Sequence, residues 1–262
     1  MKGDAMNDGA QTNDEARAAM VHVFADAERV ARAAAARFVE LAGECVSARG
    51  RFCVALSGGS TPRGIYELLS GQEFAPRVGW PKVHVFFGDE RCVPPDDKES
   101  NYRMARESLL SRVAIPGGNV HRMIGEGDAA ANARLYEDDL RAFFGGDRLP
   151  RLDLVMLGMG DDGHTASLFP GSPALDESRA WVVANRVEKF AAYRLTLTAP
   201  VINNAAHVTF VVTGAGKAER LREVIEGPRD PPRLPAQLIR PASGALEWFI
   251  DQAAASRLSD GR

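Results

Sequence analysis

Of the five histidines in the chain, one stands in a setting suited to proton transfer. His164 closes a run rich in glycine and acid, Gly158-Met159-Gly160-Asp161-Asp162-Gly163-His164, followed by Thr165-Ala166-Ser167. An imidazole titrates near pH 6.5 when unperturbed, so its neutral form can accept a proton at cellular pH. Asp162, two residues earlier, could fix the ring's tautomer or raise its basicity. A lone histidine is more often structural, and the others read that way. His22 and His84 lie inside apolar runs as expected core residues, while His121 and His207 have no comparable neighbours. The pattern points to His164 as a catalytic base with Asp162 as its orienting partner.

Three further polar clusters carry groups suited to an anionic ligand. Ser57-Gly58-Gly59-Ser60-Thr61-Pro62 offers backbone N–H groups that glycine lets approach closely, two hydroxyls beside them, and a proline suited to the first turn of a helix. A helix N-terminus so built favours a phosphate; the structural alternative is a plain strand-to-helix turn. Gly88-Asp89-Glu90-Arg91 places three charges directly after an apolar run, which is costly unless they line a cleft or pair with one another. Thr213-Gly214-Ala215-Gly216-Lys217 puts a lysine where a helix should open, against the helix dipole. A bound phosphate would resolve that conflict, and an exposed lysine is the simpler alternative. Arg194 is a second candidate cation. No GK[ST] follows any of these glycines and none of these three clusters reads GxGxxG, which argues against a nucleotide triphosphate at them. Neither HExxH, nor a His/Cys cluster, nor a calcium loop is present, so no metal is expected. A G-x-S-x-G elbow is lacking as well.

The segments between the clusters predict what positions them. Apolar runs at 21–25, 52–56, 83–87, 152–160 and 207–214 read as strands, and helical spacing marks 26–48, 63–69, 100–111, 128–144 and 217–225. Residues 193–198 alternate like an antiparallel or edge strand, and 236–240 is expected as a last strand. Continuous apolar strands alternating with helices indicate an α/β, Rossmann-like, mostly parallel sheet with helices on both faces. In such sheets ligands bind outside the carboxyl ends of the strands, so the four clusters should meet at one cleft.

Composition narrows the classes. The 262 residues are 45% hydrophobic and 26% charged with a net charge of −3, so bulk charge suggests neither a nucleic-acid partner nor an anionic membrane surface. No apolar run approaches the roughly 18 residues that span a bilayer. Residues 1–15 read as a disordered polar tail without the apolar core of a secretory signal, leaving 16–258 as a single domain. Cys45, Cys53 and Cys92 are odd in number and lack metal-ligand spacing, as expected of reduced thiols in the cytoplasm. Cys53 reads as a small core residue.

Taken together and in order, these clusters resemble the glucosamine-6-phosphate isomerase/6-phosphogluconolactonase superfamily from about residue 20 to 250. The resemblance is carried by ALSGGSTPRGIYELL (55–69), FFGDERCVPPDDKESNYRMARESLL (86–110), LDLVMLGMGDDGHTASLFPGSPAL (152–175), YRLTLTAPVINNA (193–205) and GAGKAE (214–219). Its isomerase members look like DGHIAFNEPG at the histidine, with a glutamate that assists ring opening just before the Pro-Gly. This chain has Phe169 there, and GDER where isomerases carry a DEY-type segment. Both differences point to the lactonase branch. Asp89 matches the isomerase base, and the Ser100-Asn101-Tyr102-Arg103 stretch fits either branch.

The resemblance implies hydrolysis of a phosphorylated sugar lactone, 6-phospho-D-glucono-1,5-lactone, in the oxidative pentose phosphate pathway, with neither metal nor organic cofactor. On that reading His164 activates water, Asp162 orients it, Arg91 stabilises charge on substrate oxygens, and Ser57, Gly58, Gly59, Ser60, Thr61, Arg194 and Lys217 hold the phosphate, with Asp89 also at the site. A small molecule is then the only partner required, and a monomer suffices. The competing readings are an aminosugar-6-phosphate isomerase/deaminase and a non-catalytic phosphosugar-binding regulator.

Overall fold

A computed structural model of the chain describes residues 19–146 and 148–259. The tail expected over residues 1–15 lies outside the described residues. The chain begins with β1 (Met20–Phe24), α1 (Ala27–Arg49), β2 (Phe52–Leu56), α2 (Ser60–Leu69), β3 (Val83–Phe87), β4 (Asp89–Arg91) and α3 (Asn101–Ala105), which continues as a π-helical turn over Arg106–Leu110. It proceeds through α4 (Ala129–Phe144), β5 (Leu154–Leu157), β6 (Val182–Val187), β7 (Ala192–Leu197), α5 (Ala199–Asn203), β8 (His207–Val212), α6 (Ala218–Glu226), β9 (Ala245–Asp251) and α7 (Gln252–Ala255).

Six strands form one parallel sheet in the order β1-β9-β8-β5-β2-β3. Every residue of β2 and β5 is buried, so both faces of the sheet centre are covered, as their unbroken apolar sequences require. A second, antiparallel sheet has the order β4-β7-β6. The fold is thus α/β with a Rossmann-like parallel sheet flanked by helices, plus additional strands.

Local chemistry sets the helix ends. The Asp26 carboxylate accepts from the Arg29 N–H at 2.8 Å to start α1, and Gly50 ends it at φ 74°. Within α1, Val30, Ala34, Phe38, Leu41 and Cys45 recur at helical spacing and are all buried. Asp128 caps α4 in the same way, through the Ala131 N–H at 2.7 Å. Among the described residues no helix is long and apolar enough to cross a membrane.

Three expectations need correction. The last strand is Ala245–Asp251, whereas Pro235–Leu238 is a 3-10 turn; its prolines and the Asp230 carbonyl, which accepts from the Leu234 N–H, curl it before it can pair. The GDER run is a short strand that passes from one sheet to the other, so its charges face a second sheet instead of open solvent. The strand at 192–197 is antiparallel, as its alternation allows, and lies centrally in its sheet; its partner at 182–187 had no separate signal. His22 and His84 are half-buried because β1 and β3 are the edges of the parallel sheet. Cys53 is buried in the core as expected, and burial pushes its thiol up to about 12.

One carboxylate joins the sheet's end to the loop that follows β8. Asp251 accepts from the Gly214 N–H with both oxygens at 3.0 Å and caps α7 through the Ala254 N–H at 2.7 Å. Gly214 holds φ 95°, which favours glycine. Asp251→Ala should lose the cap and strand a buried N–H, costing about 1–3 kcal/mol. Thermal unfolding of the variant against wild type checks this, and an unchanged Tm refutes it.

Candidate active site

The turn after β5 builds the histidine site from the backbone outward. Gly160 donates its N–H to the His164 carbonyl at 2.8 Å, and Gly163 donates to the Gly160 carbonyl at 3.1 Å. A Cβ on Gly160 would lie 2.0 Å from His164 Nδ1 and 2.8 Å from Asp162 Oδ1, so only glycine permits this approach. His164 Nδ1 stands 2.5 Å from Asp162 Oδ1, which also accepts from the His164 N–H at 3.2 Å. An ionised carboxylate can only accept, so the ring proton belongs on Nδ1 and the Nε2 lone pair is left free. Burial pushes the Asp162 carboxyl up. Its bonds and charge contact with His164, and then its bond to Lys189, outweigh that and hold it well below the usual carboxylate range. The Phe169 ring stacks on the imidazole at 4.1 Å and 24°.

The rest of the same turn is anchored to both sheets. Thr165 Oγ1 donates to the Gly158 carbonyl at 2.9 Å. Ala166 adopts φ 47°, a left-handed conformation rare for alanine. Beyond it, Ser167 is fully buried; its hydroxyl donates to Asp89 Oδ2 at 2.7 Å and its N–H to Thr196 Oγ1 at 3.2 Å.

The other clusters gather around this turn because β8, β5, β2 and β3 are neighbours running the same way. After β2, Tyr66 braces the backbone by donating to the Ser57 carbonyl at 2.9 Å and accepting from the Ser57 N–H at 3.0 Å. Ser57 Oγ is buried with no protein partner. No side chain caps α2, so its first N–H groups remain open to an anion. A Cβ on Gly58 would lie 1.8 Å from Asn101 Oδ1, and Asn101 Nδ2 in turn donates to Asp89 Oδ1 at 3.2 Å. Thr61 and Thr213 hydroxyls are 3.0 Å apart, joining the first cluster to the fourth.

Arg91 and Arg194 face each other across the β4–β7 pairing. Like charges opposite one another are destabilising unless an anion is shared. Burial, then Arg91, lowers the Arg194 pKa. Arg91 Nη1 donates to the Glu99 carbonyl, while its buried Nε has no protein partner. Glu90 serves α3 instead of the cleft. It accepts from the N–H groups of Arg91 and Asn101 at 2.7 Å and Tyr102 at 2.8 Å, and burial pushes its carboxyl up. Lys217 lies on a 3-10 turn, Ala215–Lys217, ahead of α6, and its ammonium bonds Asp161. That carboxylate is itself 81% exposed, so the lysine's partner within the protein lies at the open surface. Three contributors went unread in the sequence: Asn101 and Ser167 as ties to Asp89, and Lys189, whose ammonium is 3.3 Å from Asp162 Oδ2. Only the pairing of β6 with β7 reveals Lys189, since it brings a hairpin tip back over the histidine. Among the described residues no group of three His, Cys, Asp or Glu side chains could hold a metal ion.

The sequence profile described as glucosamine-6-phosphate isomerases/6-phosphogluconolactonase matches residues 25–248. The chain belongs to this family. A 6-phosphogluconolactonase of Synechocystis sp. is 43% identical to it over 218 residues, covering 82% of this chain and 88% of that protein. A 6-phosphogluconolactonase of Mycobacterium tuberculosis is 40% identical over 245 residues, covering 91% of this chain and 98% of that protein. The solved structure of a devB protein superposes with a TM-score of 0.84 at 34% identity, over 92% of this chain and 99% of that one. The family fold thus extends across both sheets and all four clusters of the site.

Two consequences can be measured. Gly160→Ala should cut turnover at least tenfold while leaving the circular dichroism spectrum intact, because the new methyl must displace His164 or Asp162; full turnover would refute the close approach. Asp162 has a depressed folded-state pKa, so its contribution to stability is present above its unfolded value near 3.9 and lost as the pH falls through the folded one. Asp162→Asn should therefore be less stable than wild type in urea at pH 7, with the gap narrowing below about pH 4. A gap independent of pH would refute the assignment.

Proposed function

We propose that this chain hydrolyses 6-phospho-D-glucono-1,5-lactone to 6-phospho-D-gluconate, with His164 as general base. The observation that carries the reading is the His164–Asp162 pair at the carboxyl edge of the sheet, with the Phe169 ring stacked on it. Phe169 stands where the isomerase branch has its ring-opening glutamate, and a phenyl ring cannot carry a proton. The relatives named as 6-phosphogluconolactonases, similar over more than four fifths of the chain, support the same substrate.

Each step follows from the groups present. Nε2 of His164 takes a proton from water as the water oxygen bonds to C1, and the carbonyl electrons move onto the carbonyl oxygen. Asp162 holds the ring's orientation and stabilises the imidazolium that forms. Arg91 supports the oxyanion. Collapse of the tetrahedral intermediate breaks the bond from C1 to the ring oxygen, and His164 returns its proton to that oxygen. The far end of the substrate is a phosphate monoester of about −1.5 to −2 charge at pH 7, the kind of anion that the open first turn of α2, Ser57 Oγ, Arg194 and Lys217 can hold. Anchoring at that end orients C1, so remote binding energy serves the chemical step. On this reading residues 16–258 act as one unit, supported by a single hydrophobic core that runs from Val30 to Ala254. The net charge of −3 and three cysteines without metal-ligand spacing fit a cytoplasmic protein with no nucleic-acid or membrane partner.

A coupled assay of lactone hydrolysis, corrected for the spontaneous rate, tests the proposal. His164→Ala should lose about 10²–10⁴ in kcat while still binding 6-phosphogluconate. Lys217→Ala should raise KM about tenfold or more through the loss of a cation at the phosphate. Wild-type kcat in the first variant would remove His164 from the mechanism, and an unchanged KM in the second would remove Lys217 from the phosphate site. Release of ammonia from glucosamine 6-phosphate by the wild type would favour the isomerase branch instead.

A further inference from the structure

The hairpin between β6 and β7 turns through a 3-10 segment, Glu188–Phe190, and Ala191 at φ 48°. Its tip carries two residues that contact the site although they are remote from it in sequence. Lys189 Nζ stands 3.3 Å from Asp162 Oδ2, the oxygen that the histidine leaves free. The Phe190 ring lies 5.8 Å from Phe169, which itself stacks on His164, and the Arg194 guanidinium is 5.0 Å from the Phe190 ring. The lysine side chain is 60% exposed, yet its ammonium meets a carboxylate that is only 27% exposed.

The charges facing the pair can be counted element by element. From its own turn comes Asp161, which Lys217 of the loop after β8 neutralises. From α6, Arg220 Nε donates to the Asp161 carbonyl at 3.1 Å and its Nη1 bonds Glu223, so that guanidinium is engaged away from Asp162. Phe169 covers one face of the imidazole without charge. Among the described residues the cation paired with Asp162, besides the ring itself, is Lys189.

We propose that Lys189 is a positioning residue for the His164–Asp162 pair, holding the second carboxylate oxygen and drawing part of the carboxylate's charge away from the imidazole. The inference rests on the reading of His164 as general base. Its physics is direct. A carboxylate beside an imidazole favours the protonated ring, and an ammonium on the far oxygen weakens that preference. The ring then releases its proton more readily at the end of each turnover and is free to accept one at the start of the next. The same ammonium fixes the carboxylate plane, which keeps Nε2 pointed at the attacking water.

The test compares Lys189→Met and Lys189→Arg with wild type, using the pH profile of lactone hydrolysis and NMR titration of protein labelled with 15N-histidine, with the His164 signal assigned by its loss in His164→Ala. In Lys189→Met the acid limb of kcat/KM should move to higher pH by about 0.5–1 unit. kcat near pH 6 should fall roughly three- to tenfold, recovering above pH 8, with KM changed less than about twofold. The His164 resonance should titrate at correspondingly higher pH, and Lys189→Arg should restore both. A residue that merely ties the hairpin down would lower kcat equally at every pH, or raise KM, with the limb and the resonance unmoved; that result overturns the proposal. The NMR arm does not require turnover. A shifted resonance in a protein without lactonase activity would uphold the role of Lys189 and refute the proposed substrate.

Discussion

Asp89 bridges the two sheets of this protein and three of its four polar clusters through two oxygens. One receives the Ser167 hydroxyl from the histidine turn, and the other receives the Asn101 amide, whose oxygen lies against the backbone of Gly58. Asp89 itself begins β4, a single residue after β3 ends. A carboxylate this buried is tolerated only where its lone pairs are met, and here they are met by groups from separate segments of the chain. The bond to Ser167 sets where the turn after His164 rejoins the protein. The contact with Asn101 sets how closely the SGGST loop can approach. Positions that must agree to within a fraction of an ångström are thus referred to one buried side chain.

The second constraint is the direction of the parallel strands. Because β8, β5, β2 and β3 are adjacent and run the same way, whatever follows each of them emerges on one edge. This is why the site was so largely legible in the sequence: strands such as FCVAL and LVML announce themselves by unbroken apolar character, and the residues after them inherit their positions. His164, Asp162, Ser57–Thr61 and the Thr213–Lys217 loop all follow from that rule. The antiparallel sheet obeys no such rule. Its strands VVANRV and AYRLTL are half-exposed and mix polar with apolar residues, and their register depends on partners that only the folded chain supplies. Lys189, the pairing of Arg91 with Arg194, and the identity of GDER as a strand were therefore not readable. The strand expected at 236–240 failed for the converse reason, since a short apolar stretch beside prolines looks alike whether it pairs or curls.

Electrostatics divides the site into a side that is settled within the protein and a side that is not. Asp162 with His164 and Lys189 forms a compact set in which opposite charges meet, whereas Lys217 meets only the exposed Asp161 carboxylate. Across from them, Arg91 and Arg194 stand opposite each other in register, and among the described residues neither forms an ion pair with a carboxylate and Ser57 Oγ and Arg91 Nε are buried without hydrogen-bond partners. A cleft arranged in this way draws anions toward the wall that carries the uncommitted arginines.

Ala166 shows what such an arrangement costs. An alanine at φ 47° is held against its own preference, by an amount on the order of 1 kcal/mol that the neighbouring anchors at Thr165 and Ser167 must offset. Glycine would occupy the position without that cost, but would also give the unfolded chain more freedom and the folded turn more room to wander. The methyl group narrows the routes by which the histidine segment can loosen, so the strain at one alanine is exchanged for a stiffer turn around the imidazole.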